Sequence, residues 1–173
     1  MAVAGAPSGT GSEAEDRGPG RPVLLVSACL LGVECNHRGA ASPSAAVQAL
    51  GDHARLLPVC PEAAGGLPTP RPAAELQPDG TVRTADGDDV SQAYLRGATH
   101  AVDVARAAGA RRAVLKARSP SCGCHEVYDG TFTRTLRAGL GITAAALRAA
   151  GVEVVSDEDV ATGVDLLPPP AHP

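Results

Sequence analysis

Val23–Cys35 reads VLLVSACLLGVEC, and its first six residues decide the fold. VLLVSA is a continuous apolar run rich in branched side chains. That pattern marks a strand covered on both faces, as in a parallel sheet, where an alternating pattern would mark a half-solvated one. Working outward, RRAVLK at 111–116 and VEVVS at 152–156 repeat the pattern, and ARLLPV at 54–59 repeats it more weakly, with Pro58 near its end. Helical segments separate these runs. SAAVQALG at 44–51 closes on Gly51. A longer helix, capped by Asp88 or Asp89, runs to about Ala108 and stops at Gly109. GLGITAAALRAA at 139–150 contains a helix ended by Gly151, and a last short helix begins at Asp157. ELQPDGTVRT at 75–84 reads as a hairpin turning at Asp79-Gly80. Strands alternating with helices imply crossover connections and a parallel sheet. The expectation is a single three-layer α/β domain over residues 22–162. It is Rossmann-like, with a mostly parallel sheet, helices on both faces and a small hairpin insertion. Residues 1–21, rich in Gly, Ala, Ser and Pro, and 163–173, ending LPPPAHP, read as disordered tails.

Composition narrows the function. The chain has 173 residues, 44% of them hydrophobic, yet only Tyr94, Tyr128 and Phe132 are aromatic, so Ala, Val and Leu must build the core. Fifteen Lys and Arg against nineteen Asp and Glu leave a net charge of −4, with no basic block. Nucleic acid is therefore not the expected partner: there is neither an electrostatic footprint nor a platform on which bases could stack. The longest apolar run, Val23–Val33, is too short for a bilayer, which needs about 20 residues. The acidic Glu13, Glu15 and Asp16 ahead of it argue against a secretory signal. A cytoplasmic chain without a membrane segment is expected.

Five cysteines in such a chain do not suggest a disulfide framework. Their positions suggest something else. Cys29 follows the first strand, Cys60 the second, and Cys122 lies in the loop after the third. Loops that follow parallel strands emerge at one edge, where ligands bind, so the three thiols converge on a shared metal or cluster site. Each sits among residues that make stiff, irregular loops: Gly32 after Cys29, CPEAAGGLPTPRP from Cys60, and SPSCGCHEVYDG around Cys122. Ser119 and Ser121 flank Cys122 with hydroxyls and backbone N–H groups. Three thiolates can hold zinc, with His37 or His125 as a fourth ligand, or three irons of a four-iron cluster. Spacing alone leaves both open.

CLLGVEC, CPEAAGGLPTPRP, AVLKARSPSCG, YDGTF and GLGITAAAL, in this order and spacing, resemble the small bacterial family, once known only as a domain of unknown function, that includes the TudS-type thiouracil desulfidases. The resemblance covers residues 23–158. It implies removal of sulfur from a small thiolated nucleobase at a [4Fe–4S] cluster with one open iron, held by Cys29, Cys60 and Cys122. The reaction so implied needs a proton handler near the cluster: Glu62, two residues after Cys60, is the catalytic candidate by reach, with Ser119 to orient water or hold the base, and Arg71, Ser121, Tyr128 and Phe132 are the candidate substrate contacts. Each also has a plain structural reading: Glu62 capping a local N–H, Ser119 as a turn hydroxyl, Arg71 paired with Glu75, and the two aromatic rings as packing. Two departures from the family pattern stand out. Asn36-His37-Arg38-Gly39 replaces a run resembling R-Y-D-G, and Cys124 is an extra thiol, expected to be inert. Cys35 belongs to the motif and is expected to support the loop. Two alternatives compete: a non-catalytic zinc-binding module, and a hydrolase using Cys122 with His125.

Overall fold

A computed structural model describes residues 20–166. Its elements are β1 (Val23–Ser27), α1 (Ala45–Ala49), β2 (Arg55–Val59), α2 (Pro61–Ala64), β3 (Ala74–Leu76), β4 (Val82–Thr84), α3 (Ser91–Ala108), β5 (Arg112–Leu115), β6 (Glu126–Tyr128), β7 (Leu136–Ala138), α4 (Ile142–Ala149), β8 (Glu153–Ser156) and α5 (Asp157–Ala161). β1, β2, β5 and β8 form the parallel sheet in the order β2-β1-β5-β8.

β1 shows why the apolar run needed no alternation. Leu25 packs into the layer made by α3 and α4, with Ala101, Ala105 and Leu147, while Leu24 and Val26 pack on the other face with Val47 of α1 and Val160 of α5. All three β1 residues are essentially inaccessible, and each such burial stabilises by about 1.5–3 kcal/mol. The register aligns Val26 of β1 with Pro58 of β2. Because β2 is an edge strand, a proline there costs no ladder on its outer side.

The chain leaves β1 toward β2 and later continues from β5 to β8 in the opposite direction. The order therefore reverses between β1 and β5, and a crevice opens beyond their carboxyl ends.

The expected elements are present, with adjusted ends. Ser44 accepts the Val47 N–H to start α1 (3.4 Å); α3 has Val90 as its N-cap with no side-chain cap, and the expected Asp89 lies one residue ahead, where it accepts the Ser91 N–H (2.9 Å). Gly109, at φ +66°, ends α3. The 74–84 hairpin turns around Asp79, which accepts the Thr81 N–H (2.9 Å). Two elements were not anticipated: α2, inside the Pro- and Gly-rich segment after Cys60, and the antiparallel pair β6–β7. Residues 1–19 and 167–173 lie outside the described residues. Of the expected C-terminal tail, Leu166 is 1% exposed and packs in the core beside Val160 and Val114, and its carbonyl accepts from Arg112 Nη1. Among the described residues no helix is long and apolar enough to cross a membrane.

Candidate active site

A cleft of about 440 Å³ opens at the carboxyl edge of β1, β2 and β5. Cys29 reaches it from a 3₁₀ turn, Ala28–Leu31, which extends β1 and closes on Gly32 at φ +97°. Cys60 sits between β2 and α2, where Pro61 begins the helix. Cys122 lies in the loop after β5. All three line the cleft, and so does Cys35. Cys60 Sγ donates to the Cys35 carbonyl (3.6 Å).

Burial first, and then the neighbouring thiols, push Cys29 up to about 11 and Cys35 up to about 12. Cys122 rises to about 12, chiefly through burial, with the Ser27 hydroxyl pulling the other way. A thiol pocket of this kind resists ionisation by itself and favours thiolate only when a cation enters it. That donor set, three sulfurs from three strand ends in a space far larger than one ion, fits a metal–sulfur cluster.

Glu62 lies two residues beyond Cys60 on α2. Arg71 Nε donates to Glu62 Oε2 (2.9 Å) and Arg71 Nη2 approaches the same oxygen (2.8 Å), with side chains only 5% and 14% exposed. Arg71 also donates to the carbonyls of Cys35 and Pro68 and to Thr69 Oγ1 (3.1 Å each), and its N–H donates to the His37 carbonyl (2.9 Å). The alternative Arg71–Glu75 pair does not form. Glu75 instead accepts the N–H groups of Gly130 and Phe132 (3.0 and 2.9 Å).

Ser119 receives the N–H groups of Ser121 and Cys122 on its Oγ (3.1 Å each). With those acceptor positions filled, its own proton points to Glu62 Oε1 (3.4 Å). One hydroxyl thus couples the carboxylate to the backbone of a cysteine.

Of the remaining sequence candidates, Tyr128 lines the cleft and Ser121 and Phe132 do not. Ser121 is fully buried, with its hydroxyl against Thr143 Oγ1 (2.8 Å), and Phe132 is 38% exposed beside the β6–β7 pair. His37 and Arg38 line the cleft from a loop shaped by Asn36, whose Oδ1 accepts the N–H groups of Arg38 and Ala40. Burial, then the Arg38 charge, lowers the His37 imidazole. His125 is outside the cleft and pairs with Asp159, so Cys122 and His125 do not share it.

Tyr94 and Lys116 are among the cleft-lining residues that escaped sequence reasoning. Tyr94, buried on α3, is pushed far above the ordinary phenol range by burial, then by the charge of Glu62 and a hydrogen bond to it. As the one aromatic residue in an Ala-rich helix it was a visible signal. Lys116, at the carboxyl end of β5, was visible from its strand-end position. It pairs with Asp157 (2.8 Å).

The sequence matches the 2-thiouracil desulfurase family model over residues 24–159. It is 37% identical over 147 residues to the uncharacterized protein YbbK of Bacillus subtilis (strain 168), spanning 80% of this chain and 97% of that one. Among solved structures, the [4Fe-4S]-dependent thiouracil desulfidase TudS is similar at a TM-score of 0.76 and 43% identity. That match covers 82% of this chain and 95% of the other.

Proposed function

The chain belongs to the 2-thiouracil desulfurase family, and from that premise we propose that it hydrolyses a small thiolated pyrimidine, using water to replace sulfur with oxygen and releasing sulfide. Thiouracil plus water then gives uracil plus hydrogen sulfide, with no net electron transfer. The observation that carries this reading is the meeting of Cys29, Cys60 and Cys122 with an ion-paired carboxylate in one cleft.

Cys29, Cys60 and Cys122 would hold a [4Fe–4S] cluster. When bound, it supplies a Lewis-acidic iron that polarises the carbon–sulfur bond. The chain's own residues do the rest. Arg71 ties down Glu62 Oε2, leaving Oε1 as the oxygen available to take a proton from the attacking water. The Ser119 hydroxyl fixes the orientation of Oε1 and ties its position to the Cys122 loop. Tyr128 offers the ring an apolar wall, and buried Tyr94 hydrogen-bonds Glu62 from α3.

Anaerobic purification followed by activity measurement tests the reading. The expected protein is brown, with iron and acid-labile sulfide in equal amounts at four each per chain, and releases sulfide from thiouracil. Cys29→Ala, Cys60→Ala and Cys122→Ala should each abolish cluster loading. A colourless protein carrying only zinc would overturn the cluster. A loaded protein inert toward thiouracil and its ring analogues would overturn the substrate.

A further inference from the structure

Cys124, one of the two thiols to which the proposed reaction gives no role, is not isolated. One ligand atom each from Cys124, His125 and Asp159 lie within 4.8 Å of one another. These are a sulfur, an imidazole nitrogen and a carboxylate oxygen, the three donor types that zinc accepts. They come from two separate parts of the chain: the loop that follows Cys122, and α5 beyond β8. A small cavity of about 50 Å³ opens beside two of them, lined by Cys124 and His125 with Arg118, Glu126, Ser156 and Glu158. It adjoins the desulfidase cleft across Ala117 and Arg118, but neither Cys124 nor His125 lines that cleft.

We infer that Cys124, His125 and Asp159 form a second metal site, which takes one divalent cation of the zinc class and clamps the Cys122 loop to α5. Four observations support this. Asp159 Oδ2 is already oriented, since it accepts the Ser156 N–H (2.8 Å). His125 Nε2 lies 2.7 Å from that oxygen; a shared tetrahedral ion at about 2.0–2.2 Å from each would set them about 3.4 Å apart, an opening that rotation of the exposed imidazole can supply. The imidazole side chain is 58% exposed, which gives the ion an entry path, while Cys124 is 2% exposed and supplies the inner, water-excluded ligand. Arg118, the cation lining this cavity, is held by Glu126 (2.9 Å) and Glu158 (3.0 Å), so its charge is compensated. The fourth coordination position falls to water on the exposed side. Binding releases the Cys124 thiol proton, and no oxidation state changes.

The test uses the full chain. The Cys29→Ser/Cys60→Ser/Cys122→Ser variant, which has no cluster ligands, is dialysed against zinc and analysed for metal. It is also titrated with cobalt(II) as a spectroscopic probe. One zinc per chain is expected, together with a thiolate-to-cobalt charge-transfer band. Adding Cys124→Ala should abolish both. Adding His125→Ala, at an exposed position that leaves the core untouched, should weaken zinc binding at least about 10-fold. In the cluster-loaded parent, zinc should raise the unfolding temperature, and it should not do so in His125→Ala. Absence of bound zinc in the triple variant, or zinc retained without Cys124, would overturn the site. Neither result bears on the desulfidase reading.

Discussion

Glu62 is held from two directions, by a guanidinium on Oε2 and a hydroxyl on Oε1. In the proposed reaction this makes it a geometrically defined proton acceptor rather than a mobile surface carboxylate. Glu62→Gln keeps the size and one oxygen that can still accept from Arg71, but it replaces the acceptor facing Ser119 with an amide NH2 and cannot take a proton. The expected result is normal cluster content with turnover lower by about 10²–10⁴-fold, read by sulfide release from anaerobically loaded protein. Ser119→Ala should leave a smaller defect, because the carboxylate remains but loses its link to the Cys122 loop. Arg71 serves structure and site together. Its side chain joins α2, the Cys35 loop and the 68–69 turn, none of which touch in sequence.

At the scale of elements, α2 and α3 approach until glycine is required. A Cβ on Gly97 would lie 1.9 Å from the Pro61 carbonyl oxygen, and one on Gly65 would lie 2.0 Å from that of Ala93. Gly97→Ala must push α2 off α3, and α2 carries both Glu62 and the shoulder of Cys60. Overpacking of this kind costs about 1–3 kcal/mol. Denaturant unfolding should show that loss together with reduced turnover, a pairing a remote destabilising change would not give. α5 is set by a capping box. Ser156 Oγ accepts the Asp159 N–H, and Asp159 returns the bond to the Ser156 N–H. Burial pushes the Asp159 carboxyl up, but the Ser156 N–H and His125 outweigh it and hold it below its ordinary 3.8. A carboxylate with a lowered native pKa stabilises the fold above its unfolded value and loses that contribution as pH falls through the native one. Wild type should therefore lose stability faster than Asp159→Asn on acidification below about pH 4, read as the gap between their unfolding midpoints.

For the whole molecule, the decisive feature is the reversal of strand order between β1 and β5, which places three cysteine loops around one crevice. The C-terminal segment completes the opposite side. Leu166 fills the α1–α5 layer under β1, so Leu166→Ala should cost about 2–5 kcal/mol in urea unfolding while leaving cluster ligation intact. Ending the chain at residue 162 should cost at least as much.

The sequence by itself determined the four parallel strands, the helices between them and the assignment of three cysteines to one sheet edge. These follow from local rules: apolar period, capping residues, and the common direction of parallel strands. It also carried the family motifs. Tertiary structure alone decided the strand order, the choice of Glu62 over Glu75 as the partner of Arg71, and the entry of Tyr94 into the site. It also decided the exit of Ser121 and Phe132 from the cleft, and the meeting of Cys124 and His125 with Asp159. Each of these pairs groups from distant segments, and no periodicity records which of several chemically similar partners will lie within 3 Å once the layers close. α2 was hidden for a related reason: four residues are too few to show a helical period, and Gly65 at its end marks close packing against α3 rather than a loop.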